Sequence, residues 1–300
     1  MEKIVKDILA FTLNKKADTV LKIQDLGSVN DVYDVRCNEF NYIVRINQEI
    51  NKEVEFIKEK WCLEKATELG IPSPQILKNG VRDGFPFMIQ NKIEGINGSQ
   101  STAPQHLLIW KDLGQFARQF HQIKRIEVPQ VEANEFHPDW KSRLEYNINQ
   151  IEQNDSLLEN AVFSELEQEK VVNILEQLRP KSFVEGLVHG DLCPRNTIFK
   201  HPLTTLLDWG TAGINVVPHT EIGIILMESK PTEDEFNAFL EGLNIQQKAY
   251  KKIEGEIKSL NLLHQLDKYR WACEYDFENI KDYIIKIRVA YEAIINPKDN

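Results

Sequence analysis

Leu187-Val188-His189-Gly190-Asp191-Leu192-Cys193-Pro194-Arg195-Asn196-Thr197-Ile198-Phe199, followed closely by Thr205-Leu206-Leu207-Asp208-Trp209-Gly210, is the stretch that decides the fold. An apolar strand leads into a polar loop, a second apolar strand leaves it, and a third ends on an aspartate. Asp-x-x-x-x-Asn offers one carboxylate and one amide from a single loop. The Asp of Asp-Trp-Gly adds a second carboxylate behind an apolar strand. Phosphoryl transfer has a loose transition state, so a protein assists it mainly by positioning groups and neutralising charge. It calls for a carboxylate near the attacking hydroxyl and for oxygen ligands that hold Mg²⁺ against the phosphates. Strands flanking the loop give the rigid mounting such geometry needs. An aspartate beside glycine is, taken alone, most often a turn or cap residue.

The flanks fit a mixed architecture. After a short amphipathic helix, Val20-Leu21-Lys22-Ile23 and Tyr42-Ile43-Val44-Arg45-Ile46 read as strands, with a break at Gly27-Ser28. From about Asn51 the period turns helical, with Val54, Ile57 and Trp61 on one face, continued by Cys62, Ala66 and Leu69. Gly70 and Pro72 end that helix. Strands follow around Gln75-Ile76-Leu77 and from Phe85 to Gln90. Lys92 to Ser101 is polar, contains Gly95 and Gly98, and reads as a linker. Beyond it helices dominate. Ile109, Leu113, Phe116, Ala117 and Phe120 form one apolar stripe, Val171, Leu175 and Leu178 another, and Ile280, Ile284, Ile287, Tyr291 and Ile294 a third.

The two motifs, in order and with Asp208 lying 17 positions after Asp191, resemble those of the aminoglycoside phosphotransferase and choline kinase superfamily. His-Gly-Asp-Leu-x-x-x-Asn is similar to the kinase catalytic loop and Asp-Trp-Gly to the kinase metal motif. The resemblance implies an α+β, bilobal, protein-kinase-like fold. A small N-terminal lobe with an antiparallel sheet would span residues 1–93 and bind the nucleotide. A larger, mainly helical lobe, 94–300, would carry the catalytic loop and the acceptor site. It implies that Asp191 is the base orienting the substrate hydroxyl, that Asn196 and Asp208 hold Mg²⁺, and that His189 braces the loop.

On the nucleotide side, the family's glycine-containing turn corresponds to Leu26-Gly27-Ser28-Val29-Asn30, which nominates Gly27 and Ser28 for phosphate contact through main-chain N–H groups. Taken alone the turn is equally an ordinary hairpin. Arg45 stands where kinases place a phosphate-binding lysine; a guanidinium also contacts phosphate, and bidentately. An outward-pointing strand cation is the alternative. Its carboxylate partner on the next helix is Glu59, with Glu55 one turn earlier as the other choice. Phe87-Met88-Ile89-Gln90-Asn91-Lys92-Ile93-Glu94-Gly95 matches the family's hinge and nominates Asn91 and Ile93 for main-chain bonds to the base of ATP or GTP. Two departures stand out. Arg195 replaces a frequent glycine beside Asn196, and Glu221 stands where relatives carry an aspartate.

Composition narrows the partners. A net charge of −10 argues against a nucleic-acid or anionic-membrane binder, both of which require excess Lys and Arg. Cys37, Cys62, Cys193 and Cys273 are scattered, without a Cys-x-x-Cys pair, as expected of a reduced, cytoplasmic setting. The first residues lack the apolar run of a signal peptide, and no apolar stretch reaches the roughly 20 residues a bilayer span needs. Acids cluster at Glu159, Glu165, Glu167 and Glu169, and again, interleaved with aromatics, at Glu274-Tyr275-Asp276-Phe277-Glu278 after Trp271. The second cluster suits a polyamine or quaternary ammonium ligand, or is a solvated helix end. Three readings follow: a small-molecule kinase of the aminoglycoside phosphotransferase type, a metabolic kinase on choline, ethanolamine, homoserine or a similar compound, and a non-catalytic nucleotide-binding scaffold.

Overall fold

The structure, a computed structural model, describes residues 1–23, 30–129, 139–153, 157 and 160–296. Gly27 and Ser28 lie outside the described residues. In chain order come α1 (Glu2–Leu13), β1 (Thr19–Ile23), β2 (Asp31–Cys37), β3 (Phe40–Ile46), α2 (Glu53–Glu68), β4 (Ile76–Arg82), β5 (Phe85–Asn91) and the short β6 (Ile96–Asn97). Then follow α3 (Ala103–Phe120), α4 (Trp140–Glu152), α5 (Glu165–Glu176), β7 (Glu185–Val188), β8 (Thr197–Lys200), β9 (Leu203–Leu206) and β10 (Gly213–Val216). The chain ends with α6 (His219–Ile224), α7 (Glu233–Leu243), α8 (Gln247–Tyr275) and α9 (Ile280–Ile295). Contacts divide it into two compact units. The first is built chiefly from Met1–Ile109 and Pro194–Ala212, the second from Trp110–Val128, Phe136–Cys193 and Gly213–Asn300. Among the described residues no helix is long and apolar enough to cross a membrane.

The first unit rests on a five-stranded antiparallel sheet in the order β1-β2-β3-β5-β4. Strand alternation sends Tyr42, Val44 and Ile46 to one face, where they join Tyr33, Val35 and the Val5, Ile8 and Leu9 side of α1 in a core. Arg45 therefore points to the other face. Asp83 and Gly84, both at positive φ (50° and 84°), close the β4–β5 hairpin with the twist a two-residue turn requires. A second, three-stranded sheet has the order β6-β8-β9.

On α2 the buried residues are Phe56, Lys58, Glu59, Cys62, Leu63 and Ala66. The stripe expected to start at Val54 is thus corrected, since Val54 is exposed. An acidic residue occupies the inner face because a strand cation meets it there. Glu59 is buried because of Arg45, and no local apolar pattern announces that.

The second unit has a core drawn from α4, α5, α8 and α9, including Trp140, Leu144, Val171, Leu175, Leu263, Tyr269, Ile287 and Tyr291. β7 pairs antiparallel with β10. A Cβ on Gly186 of β7 would lie 2.1 Å from the His121 carbonyl, so only glycine lets β7 run this close to the end of α3. The expected stripes on α3 and α9 are the buried ones, with Leu113, Ala117, Phe120, Ile287 and Tyr291 fully enclosed.

Of the first acidic cluster, Glu159 lies outside the described residues, and Glu165, Glu167 and Glu169 lie in the first turns of a helix. Ser164 and Glu167 form a reciprocal capping box at the head of α5, and Arg288 Nη1 donates to Glu167 Oε1 at 2.7 Å. The Ser164 N–H and Arg288 pull the Glu167 carboxyl from its ordinary 4.5 down to about 2. A carboxylate depressed in the folded state stabilises above its unfolded pKa, and that contribution is lost as pH falls from about 4.5 toward about 2. Glu167→Gln should therefore flatten the acid limb of stability, measured by urea denaturation across that window. An unaltered acid limb would refute the assignment.

Candidate active site

The first unit holds Arg45, Glu59, Asn196 and Asp208. β3 presents Arg45 and α2 presents Glu59, and the structure joins them in a close ion pair whose side chains are 14% and 3% exposed. Glu55, the other choice for this role, instead bonds Lys52 Nζ at 2.6 Å. Burial works against the Arg45 charge, but the Glu59 and Asp208 carboxylates more than offset it and raise the guanidinium pKa. Burial pushes the Glu59 carboxyl up, with Arg45 opposing. Arg45 Nη2 also lies 3.8 Å from Asp208 Oδ1. Arg45, Glu59 and Asp208, drawn from three separate parts of the sequence, are thus brought together.

Asp208 has φ +57°, a left-handed conformation that Asp tolerates better than most residues, and its side chain is 51% exposed. Trp209 beside it is fully buried and anchors the turn. Asn196 ends a 3-10 turn, Pro194–Asn196, and its carbonyl accepts the Leu207 N–H at 2.9 Å. That one bond sets Asn196 against the residue preceding Asp208. Arg195 is exposed and its carbonyl is held by Asn97 Nδ2 at 2.8 Å.

Of the hinge pair, the Asn91 N–H is already spent on the Gln75 carbonyl at 3.1 Å, and Asn91 Oδ1 accepts the Gln75 N–H. Ile93 follows two residues later, outside any strand, and among the described residues its N–H has no hydrogen-bond partner.

The second unit holds Asp191 and its supports. Gly190, at φ +78°, turns the chain after β7. The Asp191 N–H donates to His189 Nδ1 at 3.3 Å, and His189 is wholly buried. Glu221, also at zero exposure, accepts the His189 N–H at 2.8 Å on Oε2 and the Gly190 N–H at 3.3 Å on Oε1. Its two carboxylate oxygens thus take one amide each, from a side chain one methylene longer than aspartate. Cys193 Sγ lies 3.4 Å from the Asp191 carbonyl and 3.8 Å from Asp191 Oδ1.

His121 was missed in the sequence. It lies at the end of α3, is 5% exposed, and sets Nε2 3.8 Å from Glu221 Oε2. Its only sequence signal is its position directly after the apolar stripe that ends at Phe120, and that does not single it out.

Among solved structures, the GDP and kanamycin complex of APH(2")-IIia superposes with a TM-score of 0.73 at 16% identity, covering 97% of this chain and 98% of that one. A thermostable mutant of aminoglycoside phosphotransferase APH(4)-Ia, in ternary complex with AMP-PNP and hygromycin B, gives 0.69 at 12%, covering 96% and 98%. Amicoumacin kinase hAmiN, in complex with AMP-PNP, Ca2+ and Ami, gives 0.65 at 15%, covering 99% and 94%. At these identities the likeness speaks for the fold, which is the kinase-like one. No curated protein matches. The sequence itself matches the phosphotransferase enzyme family over residues 22–254, well over half its length, and the chain belongs to that family.

Proposed function

We propose that the chain is a small-molecule kinase that transfers the γ-phosphate of ATP or GTP to a hydroxyl of a small cationic acceptor. The observation that carries this is the convergence of the buried Arg45–Glu59 pair on Asp208, with Asn196 tied by its carbonyl to the adjacent Leu207. A cation fixed by a buried carboxylate, beside a half-exposed second carboxylate, is suited to phosphates that arrive with a metal ion.

Magnesium fits the donors present. Asp208 and Asn196 supply hard oxygen atoms, and the described residues contain no cluster of three or more His, Cys, Asp or Glu that would enclose an ion. Mg²⁺ favours such sparse protein sites, keeping waters and substrate phosphates as its other ligands. When bound it would neutralise charge on the phosphates. In this reading Asp191 orients the acceptor hydroxyl and takes its proton, Arg45 contacts phosphate, and the Asn91 carbonyl and Ile93 N–H meet the base. Residues 1–93 are proposed as the nucleotide lobe and 94–300 as the lobe of catalysis and acceptor binding.

The cationic character of the acceptor rests on the C-terminal end of α8. Trp271 and Tyr275 stack with ring centroids 5.8 Å apart and are 51% and 70% exposed, next to Glu274 and Glu278 in the chain. Aromatic faces with carboxylates nearby favour an organic cation.

Two measurements test the proposal. Fluorescent-nucleotide binding should strengthen with Mg²⁺ in the wild type and lose that metal dependence in Asp208→Ala. A mass-shift screen with nucleotide over aminoglycosides, choline-like amines and amino alcohols should then identify a phosphorylated product. Nucleotide binding indifferent to Mg²⁺ in the wild type would sink the assignment of the metal pair. Metal-dependent binding with no product on any acceptor would favour the scaffold reading.

A further inference from the structure

The polar stretch that reads in sequence as a linker is built into the first unit, directly against Asn196. Asn97 Oδ1 accepts the Ser99 N–H at 3.0 Å and Ser99 Oγ at 2.6 Å, which caps the short 3-10 turn Gly98–Gln100. These two donors fix which way the amide faces, since a flipped amide would set its N–H groups against them. Nδ2 is thereby aimed at the Arg195 carbonyl, 2.8 Å away. The Arg195 carbonyl and the Asn196 N–H belong to one planar peptide unit. Asn97 therefore pins the plane that enters Asn196, while the Leu207 N–H on the Asn196 carbonyl pins the plane that leaves it.

Gly98 completes the contact by its bareness. A Cβ there would lie 2.1 Å from Thr197 Oγ1 and 2.5 Å from the Pro194 carbonyl, at the two ends of the turn that carries Asn196. Thr197 Oγ1 itself donates to the Pro194 carbonyl at 2.7 Å, so the turn is closed on itself and has little room to give. Ile96 and Asn97 pair with Phe199 and Ile198 of β8, which fixes the register of the whole arrangement.

We infer that Asn97 and Gly98 are positioning residues for Asn196, setting both of its flanking peptide planes in concert with Leu207 so that its side-chain oxygen is held in place for the metal ion. This rests on the proposed reading of Asn196 as a Mg²⁺ ligand. The direction of a ligand's side chain follows from its own backbone, so groups that fix the flanking peptide planes also orient the ligand.

The test uses Asn97→Asp, which keeps the cap acceptor but replaces the Nδ2 donor with an oxygen facing the Arg195 carbonyl. Asn97→Ser, which keeps a cap without new charge, separates the lost donor from the added carboxylate. Gly98→Ala pushes on the same turn from the other side. Mn²⁺ binding to the protein–nucleotide complex, followed by electron paramagnetic resonance, is read beside nucleotide affinity without metal. Both Asn97 variants should weaken Mn²⁺ binding about five- to tenfold, the scale of one hydrogen bond lost or left unmatched. Metal-free nucleotide affinity should be unchanged. Gly98→Ala should lose Mn²⁺ more severely. If it fails to fold, the Asn97 pair still decides. Wild-type Mn²⁺ affinity in both Asn97 variants would overturn the inference, as would equal losses with and without metal. Absence of metal-dependent binding in the wild type would be a different result, removing the Mg²⁺-ligand reading itself.

Discussion

Replacing Asp191 by asparagine is expected to lower kcat on an identified acceptor by about 10³-fold, within the range that a positioned general base contributes. Nucleotide affinity, with and without Mg²⁺, should stay at the wild-type value. Asparagine keeps the size of the side chain and an oxygen toward Cys193, but cannot take a proton from the acceptor hydroxyl. The fold should tolerate the change, because the loop is held from its main chain, by Glu221 on the His189 and Gly190 amides and by His189 on the Asp191 N–H. Steady-state kinetics beside a thermal melt would check it. A variant with wild-type kcat would show that the base lies elsewhere.

The second large effect is expected at Arg45. Arg45→Met leaves the Glu59 carboxylate at 3% exposure with its cation gone. Breaking a buried pair from one side costs about 3–5 kcal/mol, far more than the net value of an intact pair. Urea denaturation should show a loss of that size. The double variant Arg45→Met, Glu59→Met should recover most of it, because neither member of the pair is then left buried without the other. Recovery would separate structural cost from function, since the double variant should fold yet bind nucleotide at least tenfold more weakly, the loss expected of charge-assisted bonds to phosphate. A single variant as stable as the wild type would mean that Glu59 does not depend on Arg45.

Much of the fold was legible because its determinants are local. Tyr42-Ile43-Val44-Arg45-Ile46, β-branched and aromatic, reads as a strand and lies in β3. The spacing of Ile280, Ile284, Ile287, Tyr291 and Ile294 marks the inner side of α9. The choice of Glu59 over Glu55 as the partner of Arg45 came from the family pattern, and the structure pairs Glu59 with Arg45.

What was illegible depends on partners distant in sequence. Val54 looked like a core residue of α2, but the inner face is defined by a glutamate that only a strand cation makes buriable. His121 carries no pattern of its own; its surroundings come from α6, a hundred positions away. Lys92 to Ser101 looked like a linker because polar residues and glycines are also what a close backbone contact requires. Nothing in composition separates a segment that avoids structure from one that presses bare main chain against a turn.

The carboxylate of Glu221 has one further consequence. Successive main-chain N–H groups pointing to one spot form a natural seat for an anion, and phosphates are commonly drawn to such seats. At His189 and Gly190 that seat is taken from within, by an acid with no exposure to solvent. A polyphosphate could settle on these amides only by displacing Glu221 from the interior. These two amides are thereby withdrawn from any phosphate, and the loop next to Asp191 keeps its main chain facing inward at this point.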